Sequence, residues 1–425
     1  MTESWEMSTT VSFTRGRASM TARTARRALT GALVAALAAT ALTTTAASAA
    51  PTAGQDRQDR HAAFRTALKA QVTAGVPGVL GQARDEHGTW NGTAGVADRT
   101  TGEQRRAEDR FRAGSITKAF VSVVLLQLEA EGKLDIDDTV DRHLPGVVRG
   151  NGHDGRRITI RQLLNHTSGI YNYTEDPEFV QKRLGPGFPE HRFETVTPRQ
   201  LVATAMKHEP YARPGKLWHY SNTNYILAGM IVEKVTGRPY ASEIDKRVLR
   251  RVGMRATTFP GTSPRMPDPS GRAYSSLGET GPSPRIIDAT ELNPSWGWAA
   301  GEMITTAGDL NRFYRALMRG ELLPERQQRE LLTTVPVAAD GIGRYGLGVS
   351  TATLSCGKTV WFHGGGIHGS ISMASATPDG RHTAAFNFNG DWAGDTAAPL
   401  EAEYCGTRPA TVAANPSLTT LTALR

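Results

Sequence analysis

Apolar and polar residues alternate near both ends of the chain, which is the pattern of half-buried β-strands. Residues 77–96 alternate around His87-Gly88 and Asn91-Gly92, and they predict two strands joined by turns. From Tyr345 onward, Gly-rich or Asp-Gly turns separate short alternating segments. These segments predict four consecutive antiparallel strands, 346–354, 358–364, 370–376 and 383–389. We therefore expect the two ends of the chain to build one sheet.

The middle of the chain is predicted to be mostly helical. The continuous apolar pattern of residues 117–131 ends at Gly132 and predicts a long buried helix. Further helices are predicted at 56–72, 161–164, 198–206, 223–236, 242–252 and 309–318. The Pro-, Gly- and Ser-rich segment 258–284 is typical of a long surface connection.

These elements predict an α/β (α+β) fold, because strands at both ends enclose a run of helices. An antiparallel sheet domain flanked by helices is expected from residues 50–134 and 290–406. A mostly helical domain, residues 135–289, is expected to be inserted into it. The tail, residues 407–425, is rich in Thr, Ala and Pro, so we expect it to be disordered.

The first 49 residues have the three parts of a secretory signal peptide. Arginines precede an apolar, Ala-rich stretch from Ala28 to Leu42, and Ala47-Ser48-Ala49 offers a small-residue cleavage site. The alternative is a structural helix. We expect a protein secreted to the extracellular space, with a mature chain that starts near Ala50. Arg26-Arg27 leaves the twin-arginine export route open.

Charge and composition exclude several classes of protein. The 425 residues carry a formal net charge of +8, but much of this excess lies in arginines of the N-terminal segment. No basic run interleaved with aromatic residues follows, so nucleic acid is not an expected partner. No later apolar run reaches the ~20 residues that span a membrane. Because nucleotide-binding and metal-binding motifs are absent from the sequence, we expect no cofactor and no metal.

The two cysteines, Cys356 and Cys405, both lie near the end of the sequence. In an exported protein the simplest expectation is that they form a disulfide bond. The alternative is a pair of buried free thiols.

Ser115-Ile-Thr-Lys118 is an S-x-x-K motif, the first of three motifs that acyl transfer can use. A helix places residues three apart on one face, so the Lys118 amine can reach the Ser115 hydroxyl. For Lys118 to act as a base, burial must lower its pKa by several units. Ser355 and Lys358 match the same motif, but they lie beside a cysteine in strand-like sequence, so we interpret them as structural.

Tyr220-Ser221-Asn222 is the second motif and precedes a predicted helix. A tyrosine near Lys118 can relay a proton, because a nearby ammonium lowers its pKa. The Asn222 amide can hold a substrate carbonyl. Alone, such residues are more often turn and helix-cap residues.

His363-Gly364-Gly365-Gly366 is the third motif and lies on a predicted strand. Glycine lets a substrate approach the strand edge closely, and the Gly366 amide can donate to an oxyanion. A lipase-type oxyanion loop is the rival interpretation. It is rejected because the chain contains no G-x-S-x-G elbow.

In this order the motifs resemble those of the penicillin-recognising serine hydrolases. This superfamily holds class C β-lactamases, D-alanyl-D-alanine carboxypeptidases, D-peptidases and related esterases. The resemblance runs from about Gly75 to Gly406 and is nearest to the secreted soluble D-alanyl-D-alanine carboxypeptidase, because the segments around the two cysteines also match it. The cysteines of that carboxypeptidase are bridged, which supports the same pairing here.

The resemblance implies roles for individual residues. Ser115 would be the nucleophile, and Lys118 and Tyr220 the proton-transfer pair. Asn222 would provide an amide contact, and Trp296 would form an aromatic wall of the pocket. The amides of Ser115 and Gly366 would form the oxyanion hole, and Gly366 lies in the motif that begins with His363 and includes Gly365.

The sequence departs from the carboxypeptidase where that enzyme holds the substrate carboxylate. Two hydroxyls and an arginine of the family correspond here to Gly364, Gly366 and Ser350. Losing them would weaken carboxylate binding by a few kcal/mol, at ~1.5–3 kcal/mol per charged hydrogen bond. Arg344 and His368 are candidates to replace the lost contact.

We therefore expect a monomeric, exported serine hydrolase of the carboxypeptidase type with altered carboxylate recognition. Its expected substrates are small peptides, esters or β-lactams. Two alternatives stay open: an esterase or D-aminopeptidase on the same fold, and a non-catalytic penicillin-binding protein that holds cell-wall peptide.

Overall fold

Strands from both ends of the chain form the central sheet of the protein. The computed structural model describes residues 60–279, 283–337 and 343–406. The strands are β1 (Gly78–Asp85), β2 (Gly88–Gly95), β3 (Phe111–Arg112), β4 (Arg149–Gly150), β5 (His153–Asp154), β6 (Tyr274–Ser275), β7 (Ile287–Asp288), β8 (Ile304–Thr305), β9 (Val335–Pro336), β10 (Arg344–Tyr345), β11 (Ser350–Thr353), β12 (Thr359–Ile367), β13 (Ser370–Ala376) and β14 (Thr383–Phe388).

Within the described ranges, eight strands form one sheet in the order β2-β1-β14-β13-β12-β11-β10-β9. All neighbouring strands in it are antiparallel. Strand β1 pairs with β14, so that Val79 lies opposite Phe388. The alternating segments thus correctly predicted the strands, and the sheet joins the two ends of the fold as expected.

Helices cover the sheet and fill the middle of the chain. They are α1 (Ala62–Thr73), α2 (Thr117–Ala130), α3 (Val140–His143), α4 (Ile160–Leu164), α5 (Pro177–Phe179), α6 (Phe188–His191), α7 (Pro198–Ala205), α8 (Asn222–Thr236), α9 (Tyr240–Ile244), α10 (Arg250–Val252), α11 (Trp298–Gly301), α12 (Ala307–Met318), α13 (Glu325–Leu332) and α14 (Ala397–Cys405). This mixed architecture confirms the predicted fold class.

The long apolar helix α2 lies at the centre of the largest hydrophobic core. All its residues from Thr117 to Glu129 are buried. Its Phe120 ring stacks on Phe313 of α12 with the centroids 3.7 Å apart. Leu227 and Ile231 of α8 join the same core, so the sheet-flanking helices and the middle helices share one apolar cluster. The division into a sheet domain and an inserted helical domain stays a prediction.

Two predictions about the chain ends lie outside the described residues: the signal peptide 1–49 with a mature start near Ala50, and the tail 407–425. Within the described part, the segment predicted as a surface connection, 258–284, is partly interior. Tyr274, Ser275 and Leu277 are buried there. The Pro-, Gly- and Ser-rich composition of the segment predicted an exposed connection, but the segment folds back beside the Ser115 region.

Candidate active site

Ser115 lies where a short strand leads into the N-terminus of the buried helix α2. Strand β3 pairs with β8, and one turn of 3-10 helix, Gly114–Ile116, follows before α2 begins at Thr117. Gly114 has a φ of +52°, a left-handed value that glycine adopts without strain. The turn directs Ser115 towards a cavity at the positive end of the helix, where an anion is stabilised.

The Lys118 amine sits among three oxygen atoms in a fully buried position. Its Nζ lies 2.8 Å from each of the Ser115 Oγ, the Asn222 Oδ1 and the Ala300 carbonyl oxygen. Burial lowers the pKa of Lys118 well below its usual value. A neutral amine fits this arrangement, because it can donate to Asn222 and Ala300 and accept the proton of the Ser115 hydroxyl.

Tyr220 reaches the same centre from the segment before α8. Its ring lies over the Lys118 Nζ at 4.8 Å from the centroid. The Tyr220 hydroxyl is close enough to Ser115 to affect its own pKa, but it has no partner within hydrogen-bond geometry among the described residues. Burial raises the pKa of Tyr220 above its usual value. Lys118 was expected to lower the pKa of Tyr220, but the opposite effect of burial is larger. Burial also favours the neutral form of the Lys118 amine, which removes the charge that would lower it.

Asn222 joins the lysine to the cavity wall. While its Oδ1 accepts from Lys118, its Nδ2 donates to the Thr174 Oγ1 at 3.1 Å. Its backbone N–H donates to the Asn172 Oδ1 at 3.0 Å. The amide group is thus held rigidly at the first turn of α8, and Asn222 also lines the cavity.

Gly365 and Gly366 of β12 bring that strand against the Ser115 turn. Strand β11 pairs with β12 only as far as Phe362, which leaves the following edge to face residues 113–115. A Cβ on Gly365 would lie 1.9 Å from the Ala113 carbonyl oxygen, and one on Gly114 would lie 2.8 Å from the Gly366 nitrogen. This approach requires glycine, and it places Ser115 and Gly366 on the same cavity.

His363 and His166 form a buried imidazole shell beneath Lys118 and Tyr220. The His363 Nε2 and the Tyr345 hydroxyl are 2.8 Å apart. Burial lowers the pKa of His363 to about 3. The His166 ring lies 4.3 Å from that of Tyr220, and burial lowers its pKa as well. His363 does not line the cavity, so it supports the site from behind. Sequence reasoning assigned no role to His166.

The cavity in front of Ser115 has a volume of about 210 Å³ and mainly apolar walls. Trp296, predicted as an aromatic wall, lines it, as do Leu184, Leu277, Ile367 and Ile371. Three titratable side chains also line it, Tyr173, His368 and Asp391. No sequence pattern predicted Asp391 or Leu277 here, since both come from distant loops.

Other predicted substrate-binding positions do not reach the cavity. Ser350 is buried within the sheet, where it pairs with Tyr345 and Phe362. Gly364 and Gly365 lie in β12 behind the lining residues. Arg344 is held by Thr334, whose Oγ1 and carbonyl oxygen accept from its guanidinium. Among the residues that the structure describes, no Lys or Arg lines the cavity.

The second S-x-x-K match is structural, as predicted. The Ser355 hydroxyl donates to the Glu401 carboxylate at 2.7 Å, and Lys358 donates to the Tyr404 carbonyl at 2.6 Å. Cys356 and Cys405 form a disulfide bond, with Cα atoms 5.7 Å apart. The bridge joins the loop between β11 and β12 to the end of α14.

In the described part of the chain, no cluster of His, Cys, Asp or Glu side chains has the arrangement of a metal site. Helices long and apolar enough to cross a bilayer are likewise absent from those residues. The groups described above can carry out acyl transfer: Ser115 and Gly366 line one cavity, and the buried Lys118 amine contacts the Ser115 hydroxyl from behind, with the Tyr220 phenol beside it.

Comparisons with known proteins agree with this geometry. A D-stereospecific amidohydrolase from Streptomyces sp. is 56% identical, with a TM-score of 0.78 over 82% of this chain and 99% of that chain. Esterase EstB of Burkholderia gladioli is 34% identical over 48% of this chain and 51% of its own length. A penicillin-binding protein from Bacillus halodurans shares the fold, with a TM-score of 0.67 over 81% of this chain and 99% of that chain, at 22% identity.

The chain spans about half the length of the curated relatives it matches. The family model described as Beta-lactamase matches residues 62–403, which include all three motifs. The chain therefore belongs to the Beta-lactamase family of serine hydrolases.

Proposed function

We propose that this protein is an amidohydrolase that cleaves amides and esters of D-amino acids through an acyl-enzyme on Ser115. The observation that carries the proposal is the contact of the Ser115 hydroxyl with a buried Lys118 amine, 2.8 Å away. The lowered pKa of Lys118 favours the form that can accept a proton. The serine oxygen then attacks the substrate carbonyl, and the amides of Ser115 and Gly366 donate to the resulting oxyanion.

Proton transfer to the leaving group is the role proposed for Tyr220. Its pKa is raised by burial, so the phenol holds its proton and can act as an acid. It would give its proton to the leaving amine or alkoxide, and Lys118 would return the proton taken from Ser115 to the Tyr220 oxygen, so that both side chains regain their starting protonation states. Water would then release the acyl group by the reverse sequence. Asn222 holds the lysine in position throughout.

The specificity proposed here differs from that of a D-alanyl-D-alanine carboxypeptidase. Recognising a terminal carboxylate needs a cation or several donors, whereas no Lys or Arg of the described chain lines the cavity. Burial lowers the pKa of His368 to about 4, so this side chain is neutral at pH 7 and brings no positive charge. Similarity to the D-stereospecific amidohydrolase from Streptomyces sp. favours D-configured substrates.

Secretion remains part of the proposal. The disulfide between Cys356 and Cys405 supports it, because such bonds persist in oxidising compartments. A monomer is the proposed state of the mature protein.

Paired substrates test the proposed specificity. We expect D-phenylalanine amide to be hydrolysed faster than L-phenylalanine amide, and a D-Ala-D-Ala peptide amide faster than the same peptide with a free carboxylate. Preference for the free carboxylate would instead identify a carboxypeptidase. Binding of a fluorescent penicillin without turnover of any of these substrates would identify a non-catalytic penicillin-binding protein.

Two serine variants test the nucleophile. Ser115→Ala should abolish hydrolysis, whereas Ser355→Ala, in the second S-x-x-K match, should leave kcat unchanged because Ser355 only contacts Glu401. Retained activity in Ser115→Ala would reject the proposed mechanism.

A further inference from the structure

Asp391 is an acidic residue of the substrate cavity that the reaction does not use. It follows β14 and lines the same cavity as Ser115. Its Oδ1 accepts from the Ser276 N–H at 3.1 Å, and its Oδ2 accepts from the Gly369 N–H at 2.9 Å. Two backbone amides from different loops therefore fix the carboxylate in place and leave its negative charge uncompensated by a cation.

The surroundings of Asp391 do not neutralise this charge. Among the described residues, the contacts of its carboxylate are with the backbone amides of Ser276 and Gly369, and no Lys, Arg or His forms an ion pair with it. His368 also lines the cavity, and its ring stacks on Phe188 with the centroids 4.1 Å apart. Burial keeps this imidazole neutral at pH 7, and its Nδ1 has no hydrogen-bond partner in the described chain. Arg112 acts on His368 only through space, while its own Nη2 donates to backbone carbonyls.

The distance to the reaction centre suits an amino-acid substrate. Gly369, whose amide holds Asp391, lies three residues after Gly366. Three extended residues span at most about 10 Å, so the carboxylate lies within reach of an ammonium group on a bound acyl chain. The apolar walls formed by Leu277, Ile367 and Ile371 would enclose the carbon skeleton between the two points.

We propose that Asp391, with His368 on the wall of the same cavity, binds an ammonium group on the acyl part of the substrate. This inference rests on the proposed function and narrows it to substrates that carry a positive charge on the acyl side. The ammonium is either the α-amine of the reacting residue or an amine on its side chain. Both have the same chemistry, and the experiment distinguishes them.

Two substrate pairs isolate the charge. D-phenylalanine amide and N-acetyl-D-phenylalanine amide differ in the α-ammonium. N-acetyl-D-lysine amide and N-acetyl-D-norleucine amide differ in the side-chain ammonium. We expect one charged substrate to exceed its neutral partner in kcat/KM by about 10- to 100-fold, the effect of one charge-assisted contact. The pair that shows this preference identifies the amine.

Asp391→Asn should remove the preference, because the amide retains the shape but not the charge. Asp395→Asn is the matched control: Asp395 lies on the same loop and does not line the cavity, so the preference should persist. A preference that survives Asp391→Asn, or is absent from both pairs in the wild type, would overturn the inference.

A measurement on the unmodified protein covers the case in which Asp391→Asn does not fold. Butylamine should inhibit hydrolysis of p-nitrophenyl acetate competitively and more strongly than butanol does, whereas equal inhibition would overturn the inference. The same ester separates the two proposals. If hydrolysis of this ester depends on Ser115 but shows no preference for cations, only the role of Asp391 is refuted. If no Ser115-dependent hydrolysis is found, the proposed function is refuted.

Discussion

Replacing Gly365 by alanine tests the close approach of β12 to the nucleophile. The added Cβ would lie 1.9 Å from the Ala113 carbonyl oxygen, 2.9 Å from the Ala113 carbonyl carbon and 3.1 Å from the Ser115 nitrogen. The shortest distance is roughly 1.5 Å below ordinary van der Waals contact. All three atoms belong to the backbone, so no side-chain rotation can relieve the clash.

The strand or the Ser115 turn must therefore move by an ångström or more. Displacement of this size in a reacting geometry can cost ~10²-fold in rate, and it would separate the two amides proposed to bind the oxyanion. We expect Gly365→Ala to lose about 10²-fold in kcat on p-nitrophenyl acetate and on a D-amino-acid amide. The melting temperature should fall as well, since the same clash strains the folded state.

The neighbouring Gly364 supplies the matched control. A Cβ there would meet no atom closer than 3.7 Å, the Cε of Met373. Gly364→Ala should therefore retain activity within a few-fold of the wild type. If both variants were equally active, or equally impaired, the close contact between β12 and the Ser115 turn would not control catalysis.

Three further predictions concern proton balance and stability. Lys118→Met should lower kcat/KM by about 10²- to 10⁴-fold, and the wild-type profile should lose activity as pH falls through the lowered pKa of Lys118; activity that appears only near pH 10.5 would contradict a buried amine. Burial raises the pKa of Glu302 from 4.5 to about 7. Protonated Glu302 therefore contributes to the free energy of unfolding, and this contribution is fully present below pH 4.5 and is lost as pH rises through 7. Between pH 5 and pH 8, urea denaturation should show a fall in the free energy of unfolding that is up to about 3 kcal/mol smaller in Glu302→Gln than in the wild type. An equal pH dependence in both proteins would refute the shift. Replacing Cys356 and Cys405 by serine should lower the free energy of unfolding by about 4 kcal/mol, the chain-entropy effect of a 49-residue loop, with little change in kcat; unchanged stability in denaturant would exclude that effect.

Local pattern was enough to predict most secondary structure and the presence of the three motifs. Turn residues and alternation located β1, β2 and β11 to β14, and the apolar run located α2. The contact of Lys118 with Ser115 also followed from helical spacing alone. These features depend on residues close in sequence, where periodicity and turn preferences are informative.

The details of the cavity could not be predicted in the same way. Asp391 and Leu277 reach it from loops that only tertiary pairing brings together, and Ser350 is withdrawn into the sheet by its pairing with Phe362. The raised pKa of Tyr220 depends on complete burial, which no local pattern reveals. Long-range packing therefore determines which residues line the cavity and how their pKa values shift, whereas local sequence determines which reactive groups are present.

The pairing of β1 with β14 has a consequence for biogenesis. The strand that carries Gly366 belongs to a sheet whose first member, residues 78–85, hydrogen-bonds to residues 383–388. A ribosome must release almost the whole polypeptide before this sheet can close, and pairings so distant in sequence form slowly. Until then the strand edge opposite Ser115 has no scaffold, so we expect a nascent chain to become active only after β14 is in place.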